Sequence, residues 1–264
     1  MVKRILSVLI CALVLLFIYA PILLLVVYSF TESHVIGRWE GFSFELYAQL
    51  FRDAEIMQIL FNTVWLALAA AGLSTILGTA GAIGFFYSRR RVAKPLQAMS
   101  QIPVINAEIV TAISLALLFS MLFLYRTYFS LIVGHMVLCT PFVVLSVLPK
   151  LKQMDSNTYE AALDLGASPS QALFRVVIPQ IFSGIVSGFM LSITLSLDDY
   201  IVTAFTKPPM FDTISTYVYN AVKNGTNSST PALRALSALI FIVMIAVLLI
   251  VNLRARKGAK ERRA

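Results

Sequence analysis

Long apolar runs separated by short polar clusters dominate the chain. Six runs approach the roughly 20 apolar residues that a membrane-spanning helix needs, at about residues 5–30, 60–87, 96–124, 129–148, 176–205 and 233–253. The first run is too long for the apolar core of a secretory signal peptide, and no small-residue cleavage pattern follows it. We therefore predict an all-α polytopic membrane protein with six transmembrane helices, folded as a single transmembrane domain over residues 1–264.

The composition supports this prediction and excludes other classes. Hydrophobic residues make up 59% of the chain and charged residues 13%, against about 25% charged residues in a soluble domain. The six runs leave no room for a separate soluble catalytic domain. His34 and His135 are isolated, and Cys11 and Cys139 lie inside apolar runs, so we expect no metal site.

The basic residues indicate the orientation in the membrane. Most of the 21 lysines and arginines fall at the N-terminus, after the second and fourth runs, and in a basic tail over residues 254–264. By the positive-inside rule, these segments and both termini are cytoplasmic, which agrees with an even number of spans. The net charge of +8 thus marks topology in a lipid bilayer, and we expect no nucleic-acid partner.

Two further segments predict specific packing. The outer loop over residues 31–57 is acidic, and its apolar residues predict a short amphipathic helix that docks a partner or caps the bundle. Those apolar residues are Phe44, Tyr47, Leu50 and Phe51. The second run contains glycines that favour close helix–helix contact, at positions 72, 78, 81 and 84.

The longest inner loop, residues 149–175, contains two short helical patterns. Asp155 or Ser156 can cap a helix that carries Glu160, Ala161 and Ala162. Gly166 permits a tight turn. Ser168 can then cap a second helix, with Pro169 at its first position. The pattern predicts a compact helix–turn–helix projecting from the membrane.

This loop resembles the EAA loop of bacterial ABC importer permeases. The shared motif is E-A-A-x-D-x-G-A-S from Glu160, followed by Ile178-Pro179. The resemblance implies the type I importer permease fold, with Glu160, Ala161, Ala162 and Gly166 contacting an ATPase subunit. The chain has no G-x-x-x-x-G-K-[ST] phosphate loop. We therefore expect a transport subunit without enzymatic activity or a bound cofactor, driven by two separate ATPase subunits that use ATP and Mg.

Acidic residues inside the apolar runs predict the substrate path, because charge within a membrane is costly and marks function. Glu108 lies about twelve residues into the third run, or roughly 18 Å along a continuous helix, near mid-membrane. Asp198 and Asp199 lie towards the outer end of the fifth run, with Ser196 and Tyr200 beside them. No basic residue is near in sequence, so a cationic substrate is the simplest interpretation. Alternatively, the aspartates cap a broken helix or reach outer water, and Glu108 pairs with a partner permease or is protonated by burial.

The segment L-S-L-D-D-Y from Leu195 is similar to spermidine/putrescine importer permeases, and the similarity extends over much of the chain. It implies a heterodimer with a homologous permease, an extracytoplasmic polyamine-binding protein, and a location in the bacterial cytoplasmic (inner) membrane. It also implies that Glu108, Ser196, Asp198, Asp199 and Glu160 are important for uptake. The family commonly has aspartate at position 108 and often tryptophan at position 46, where this chain has glutamate and leucine. The preference between spermidine and putrescine therefore stays open.

The sequence leaves two alternative functions open. One is an ABC permease for another solute, such as iron(III) or thiamine. The other is a proton-coupled secondary carrier that uses Glu108 and Asp198 as relay carboxylates. Such carriers often contain inverted repeats; we find none, and the EAA loop would have no role in one.

Overall fold

The fold of the chain is helical, as predicted. A computed structural model describes residues 2–31, 33, 38–155, 157–224, 233–242 and 245. Besides helices, these residues contain an isolated β-bridge between Thr31 and Phe42. The helices are α1 (Val2–Tyr28), α2 (Glu45–Arg52), α3 (Ala54–Tyr87), α4 (Arg90–Ser100), α5 (Ile102–Ile105), α6 (Glu108–Met121), α7 (Tyr128–Gln153), α8 (Asn157–Asp164), α9 (Pro169–Ala172), α10 (Ile178–Asp198), α11 (Ile201–Thr206), α12 (Ile214–Asn224) and α13 (Leu233–Ile242).

Several helical segments are long and apolar enough to cross a membrane. Among the described residues there are four, namely Leu6–Tyr28, Ala54–Tyr87, Tyr128–Gln153 and Pro169–Asp198. The helix pair before and after residue 106 makes a fifth if it is counted as one bent span. The sixth predicted run is described chiefly through α13, which is shorter than a span, and the basic tail at 254–264 lies outside the described residues. The count of six therefore remains a prediction.

The third apolar run, in which Pro103 and Glu108 predict an interruption, is divided into helices that lie at an angle to each other. Helices α4 and α5 lie at 107° to α6. Pro103 stands in the first turn of α5, where it cannot donate a backbone hydrogen bond. Asn106 and Ala107 then adopt extended backbone, with ψ of 151° and 131°. Glu108 is consequently the first residue of α6, and the depth inferred from a straight helix does not hold.

The fifth run is also divided, and its bounds differ from the prediction. The helical segment begins earlier, at Pro169, and includes a π-helical turn over Leu173–Val177. It ends at Asp198, and α11 is a separate helix. Since α7 continues to Gln153, the part of the predicted loop that lies between the long helices is shorter than residues 149–175.

The described residues within 1–58 and 218–264 form one compact unit. Its helix α2 confirms the predicted amphipathic helix, although the buried residues are Leu46 and Leu50, whereas Phe51 is exposed. The Tyr47 and Ser29 hydroxyls are hydrogen bonded at 2.7 Å. Tyr47 also belongs to a cluster of stacked and edge-on rings with Phe30, Phe42 and Phe44.

Residues 59–217 form the second unit, whose core lies between α3, α7 and α10. Val143 of α7 sits at its centre, fully buried. A Cβ atom at Gly78 of α3 would lie 2.6 Å from Val143 Cβ, and one at Gly188 of α10 would lie 3.1 Å from Val143 Cα. The predicted close helix contact is thus confirmed at Gly78, whereas Gly72 and Gly84 have no neighbour within 4 Å of a Cβ position.

Candidate functional site

Two helix breaks of the second unit bring the three predicted acidic residues together. Glu108 is the first residue of α6, Asp198 is the last residue of α10, and Asp199 joins α10 to α11. Helix α6 packs against α11. The Glu108 side chain lies close enough to the Asp199 carboxyl for direct interaction and close enough to Asp198 for electrostatic interaction. We call these three residues the acidic cluster.

Asp199 is held by the start of the helix that follows it. Its Oδ1 accepts a hydrogen bond from the Val202 amide at 3.2 Å, and its Oδ2 accepts from the Thr203 amide at 2.8 Å and the Thr203 hydroxyl at 2.7 Å. These bonds satisfy amide groups that the first turn of α11 leaves without helical partners. The possibility that an aspartate caps a broken helix is therefore realised at Asp199, in addition to its contact with Glu108.

A buried histidine lies behind Asp199. The ring nitrogens of His135 in α7 lie 2.8 Å from Ser196 Oγ and 2.9 Å from Thr203 Oγ1, and Nε2 lies 3.5 Å from Asp199 Oδ2. His135, Ser196 and Thr203 are all buried. The sequence analysis treated His135 as isolated, because the residues around it in the chain are apolar. Its polar partners come from α10 and α11 and are distant in sequence.

The members of the predicted path differ in accessibility. Asp198 is exposed, and Glu108 and Tyr200 are half-buried. Asp199 is only 5% exposed, and Ser196 is buried against His135. Asp198 and Glu108 are therefore the acidic groups that a solute can reach, while Asp199 and Ser196 lie in the layer beneath them.

The charge of the acidic cluster suits a cation. Among the described residues, no lysine or arginine forms an ion pair with any of its three carboxyl groups. Uncompensated carboxylates in an apolar setting attract positive charge strongly. Within the same part of the chain, no three His, Cys, Asp or Glu side chains are arranged to hold a metal ion.

The predicted helix–turn–helix is present between α7 and α10. Asp155 Oδ1 accepts a hydrogen bond from the Asn157 amide at 3.0 Å, and α8 follows. Gly166 has φ +87°, a conformation that side chains disfavour. Ser168 and Gln171 then form a reciprocal capping box, with Pro169 in the first turn of α9. Each of these local expectations is confirmed.

The surface of this loop is exposed. Glu160 and Ala161 are exposed, Ala162 is half-buried, and α8 has no buried residue among those described. Leu165, which the sequence analysis did not single out, is 90% exposed. Tyr159 anchors the loop by packing its ring against Tyr87 of α3, with centroids 5.2 Å apart. An anchored loop that presents an apolar residue beside an acidic one is suited to contact another protein.

Sequence reasoning missed three residues, His135, Thr203 and Leu165. A histidine inside an apolar membrane run is unusual enough to mark a functional candidate, and this signal was available. The exposure of Leu165 was not, because leucines also occur on the packed faces of such helices. The role of Thr203 depends on the helix break before it, which hydropathy does not detect.

The sequence of the chain is similar to a known protein family and to individual named proteins. The family model described as "Binding-protein-dependent transport system inner membrane component" matches residues 74–257. The chain is 32% identical over 242 residues to the spermidine/putrescine transport system permease protein PotC of Haemophilus influenzae, covering 92% of this chain and 93% of the relative. It is 34% identical over 231 residues to the putrescine transport system permease protein PotI of Escherichia coli, covering 85% and 81%.

A solved structure has a similar fold. A chain in the crystal structure of a bacterial ABC transporter that imports the acidic polysaccharide alginate superposes with a TM-score of 0.72, over 97% of this chain and 96% of that chain. The two sequences are 14% identical. At this identity the similarity concerns the fold alone.

Proposed function

The chain belongs to the family of binding-protein-dependent transport system inner membrane components, and we propose that it is a permease subunit of an ATP-driven importer of polyamines. As a member of this family it is a multi-pass membrane transport protein. The finer assignment concerns its substrate and its partners. The names of its relatives include spermidine and putrescine, which are flexible polycations with amino groups spaced along an alkyl chain.

The observation that carries the substrate assignment is the acidic cluster. Glu108 and Asp198 present accessible carboxyl groups at the junction of α6, α10 and α11, with Asp199 beneath them. A polyamine amino group can form charge-assisted hydrogen bonds with the accessible Glu108 and Asp198 carboxylates, and the buried Asp199 carboxyl adds attraction from beneath. Tyr200 adds an aromatic surface to which an ammonium group can be attracted.

The motions of transport require a partner that supplies energy. We infer that Glu160, Ala161, Ala162 and Gly166 form the contact with an ATPase subunit, together with the exposed Leu165. Two such subunits would bind ATP and Mg, and this chain would bind no cofactor. Their closure would shift a two-state equilibrium between inward and outward access. The capped helices and the Tyr159–Tyr87 contact make the loop rigid enough to transmit that movement.

A translocation path beside the acidic cluster requires further partners. A homologous second permease would enclose the acidic cluster from the other side as a heterodimer. An extracytoplasmic polyamine-binding protein would deliver the solute. In this arrangement both termini are cytoplasmic in a bacterial inner membrane, and the loop with α8 lies on the cytoplasmic side. The basic residues Lys150 and Lys152, in the last turn of α7, agree with this orientation.

Reconstitution of the whole complex tests the proposal. The chain is co-produced with its second permease and ATPase subunits, placed in proteoliposomes and supplied with the binding protein. Uptake of labelled spermidine is measured with and without ATP, and putrescine, thiamine and iron(III) are added as competitors. Competition by putrescine but not by thiamine or iron supports the proposal.

Two other outcomes are informative. ATP-dependent uptake of thiamine or iron without spermidine uptake would keep the permease role and overturn the substrate assignment. Polyamine uptake that follows a proton gradient and ignores ATP would instead favour the carrier alternative, in which Glu108 and Asp198 relay protons.

A further inference from the structure

A chain of hydrogen bonds runs through the interior behind the acidic cluster. It connects Ser196 of α10 to His135 of α7 at 2.8 Å, His135 to Thr203 of α11 at 2.9 Å, and Thr203 to Asp199 Oδ2 at 2.7 Å. The side chains of both His135 and Asp199 are fully buried. Three helices are therefore joined by polar contacts at the point where α10 ends.

The donors and acceptors in this chain can be ordered. The Thr203 hydroxyl has one hydrogen and directs it to Asp199 Oδ2, its shortest contact, because a carboxylate only accepts. The Thr203 oxygen must then accept the hydrogen on His135 Nε2. In a neutral imidazole, Nδ1 is left to accept from the Ser196 hydroxyl. This order, Ser196 to His135 to Thr203 to Asp199, satisfies every polar atom in the chain.

We propose that His135 is a positioning residue for the transport site and acts through Thr203 on Asp199. This proposal rests on the proposed polyamine transport. By fixing the orientation of the Thr203 hydroxyl, His135 fixes Asp199 Oδ2, and with it the carboxyl group that interacts with Glu108. His135 does not contact the solute, since it is buried in α7. Its role is to keep the break between α10 and α11 in the geometry that assembles the acidic cluster.

The fold at this point supports a specific role over simple space filling. A Cβ atom at Gly134, next to His135, would lie 2.9 Å from Val202 Cγ1 and 3.4 Å from Thr206 Cγ2. Ser130, one turn before Gly134 on α7, donates a hydrogen bond to the Thr206 carbonyl at 3.0 Å. Helix α11 is therefore already packed and bonded along α7 without the histidine. What His135 adds is a connection to Ser196 and, through Thr203, to the Asp199 carboxyl.

Two near-isosteric variants separate the two ends of the imidazole. In His135→Gln the side-chain amide reaches the position of Nε2 and can still donate to Thr203. In His135→Asn the amide reaches the position of Nδ1, contacts Ser196 and leaves Thr203 without its donor. Cys139→Ala is the control, since Cys139 is equally buried one turn away on α7 and is outside the hydrogen-bond chain.

The measurement is made on the reconstituted complex with its binding protein. Spermidine uptake and ATP hydrolysis are recorded together, and the ratio of solute moved to ATP hydrolysed is compared. We expect His135→Asn to lower this ratio about tenfold, the effect of losing one hydrogen bond to a charged site. We expect His135→Gln to retain most of the wild-type ratio and Cys139→Ala to have the same ratio as the wild type.

A double variant tests whether the effect passes through Thr203. Thr203→Val removes the hydroxyl but keeps the shape of the side chain. If His135 acts through Thr203, His135→Asn with Thr203→Val has the same ratio as Thr203→Val alone. Independent effects that multiply would overturn the proposal. An equal ratio in His135→Asn and the wild type would also overturn the proposal. The same holds if uptake and ATP hydrolysis fall equally in His135→Asn and His135→Gln.

The test is separate from that of the proposed function. If the wild-type complex takes up no polyamine, the substrate assignment fails on that measurement alone, and the ratios are then measured for the solute that is moved. If a His135 variant does not assemble, Thr203→Val on the wild-type background decides. A ratio unchanged in that variant contradicts the proposed route to Asp199, and a lowered ratio supports it.

Discussion

Asp198 and Asp199 are adjacent in sequence, yet the first is exposed and the second is buried. The difference arises because α10 ends between them and Asp199 turns inward to cap α11. One aspartate thus has an exposed carboxyl group, while the other serves as part of the structure. The two residues, which the sequence analysis treated alike, should respond differently to the same substitution.

Asp198→Asn should impair transport without impairing the fold. The amide keeps the shape of an exposed side chain but removes a charge that attracts a cation. We expect spermidine uptake to fall about tenfold or more, while the amount of assembled complex and its ATP hydrolysis stay near wild-type levels. Uptake in proteoliposomes and size-exclusion chromatography of the solubilised complex measure the two effects.

Asp199→Asn provides the matched comparison. Asparagine keeps one capping oxygen, but its NH2 group cannot accept the hydrogen bonds that the second Asp199 oxygen accepts, and the charge beside His135 and Glu108 is lost. We therefore expect a loss of both thermal stability and uptake, since a buried donor left unsatisfied costs about 1–3 kcal/mol. Equal stability of the two variants would contradict the structural role that we assign to Asp199.

Gly166→Ala should distort the helix–turn–helix between α7 and α10 through backbone strain alone. No atom lies within 4 Å of a Cβ at this position, but φ is +87°, and an alanine in left-handed geometry costs about 1–2 kcal/mol. Gly166→Asn should be tolerated better, because asparagine adopts positive φ more readily. ATP hydrolysis stimulated by loaded binding protein should decrease in the order wild type, Asn, Ala. Identical stimulation in all three would show that the turn does not matter for coupling.

Local signals explain which parts of the fold could be predicted. The capping of α8 by Asp155, the turn at Gly166 and the capping box at Ser168 each depend on residues within a few positions. The sequence analysis located all three. Hydropathy likewise located the long helices, because burial in lipid demands an apolar composition over a fixed length.

The helix breaks could not be located from composition. Residues 96–124 and 176–205 are predominantly apolar despite a few polar residues, so a hydropathy window does not distinguish a straight helix from two helices at an angle. The proline at 103 and the paired aspartates at 198 and 199 indicated interruptions, but the direction of the chain after each break depends on tertiary contacts. The meeting of Glu108 with Asp199, and of Asp199 with His135 and Thr203, depends on those directions.

Leu165→Ser should separate docking from folding. Leu165 is almost fully exposed, so its replacement removes little buried surface and should leave the thermal stability of the chain unchanged. If Leu165 enters an apolar pocket of the ATPase subunit, its loss should weaken binding of that subunit by about 1–3 kcal/mol, or about tenfold or more in affinity. The amount of ATPase retained by the tagged permease after washing measures this.

The same substitution at the far end of the bundle provides the control. Leu122 is also exposed, but it follows α6 in the connection to α7, on the predicted outer side. Leu122→Ser should leave retention of the ATPase unchanged. Equal loss in both variants would indicate a general effect of removing surface leucines and would contradict a docking role for Leu165.

Gly78→Ala should be the most destabilising single-methyl addition in the second unit. The added Cβ would lie 2.6 Å from Val143 Cβ and 3.0 Å from the Thr140 carbonyl oxygen. Val143 has little room to move, because a Cβ at Gly188 of α10 would also lie 3.2 Å from Val143 Cγ1. The strain of such overpacking is about 1–3 kcal/mol, and it exceeds the roughly 1 kcal/mol that alanine gains over glycine within a helix.

Gly72→Ala on the same helix should change the stability in the opposite direction. No atom lies within 4 Å of a Cβ at Gly72, so only the gain in helix propensity remains. The melting temperature of the detergent-solubilised complex should therefore fall for Gly78→Ala and stay level or rise for Gly72→Ala. A fall in both would mean that α3 is sensitive to any added methyl group, and a fall in neither would contradict the close approach of α3 to α7. Only opposite responses support the close packing of α7 between α3 and α10 at Val143. The same helix, α7, carries His135, which lies beside Asp199.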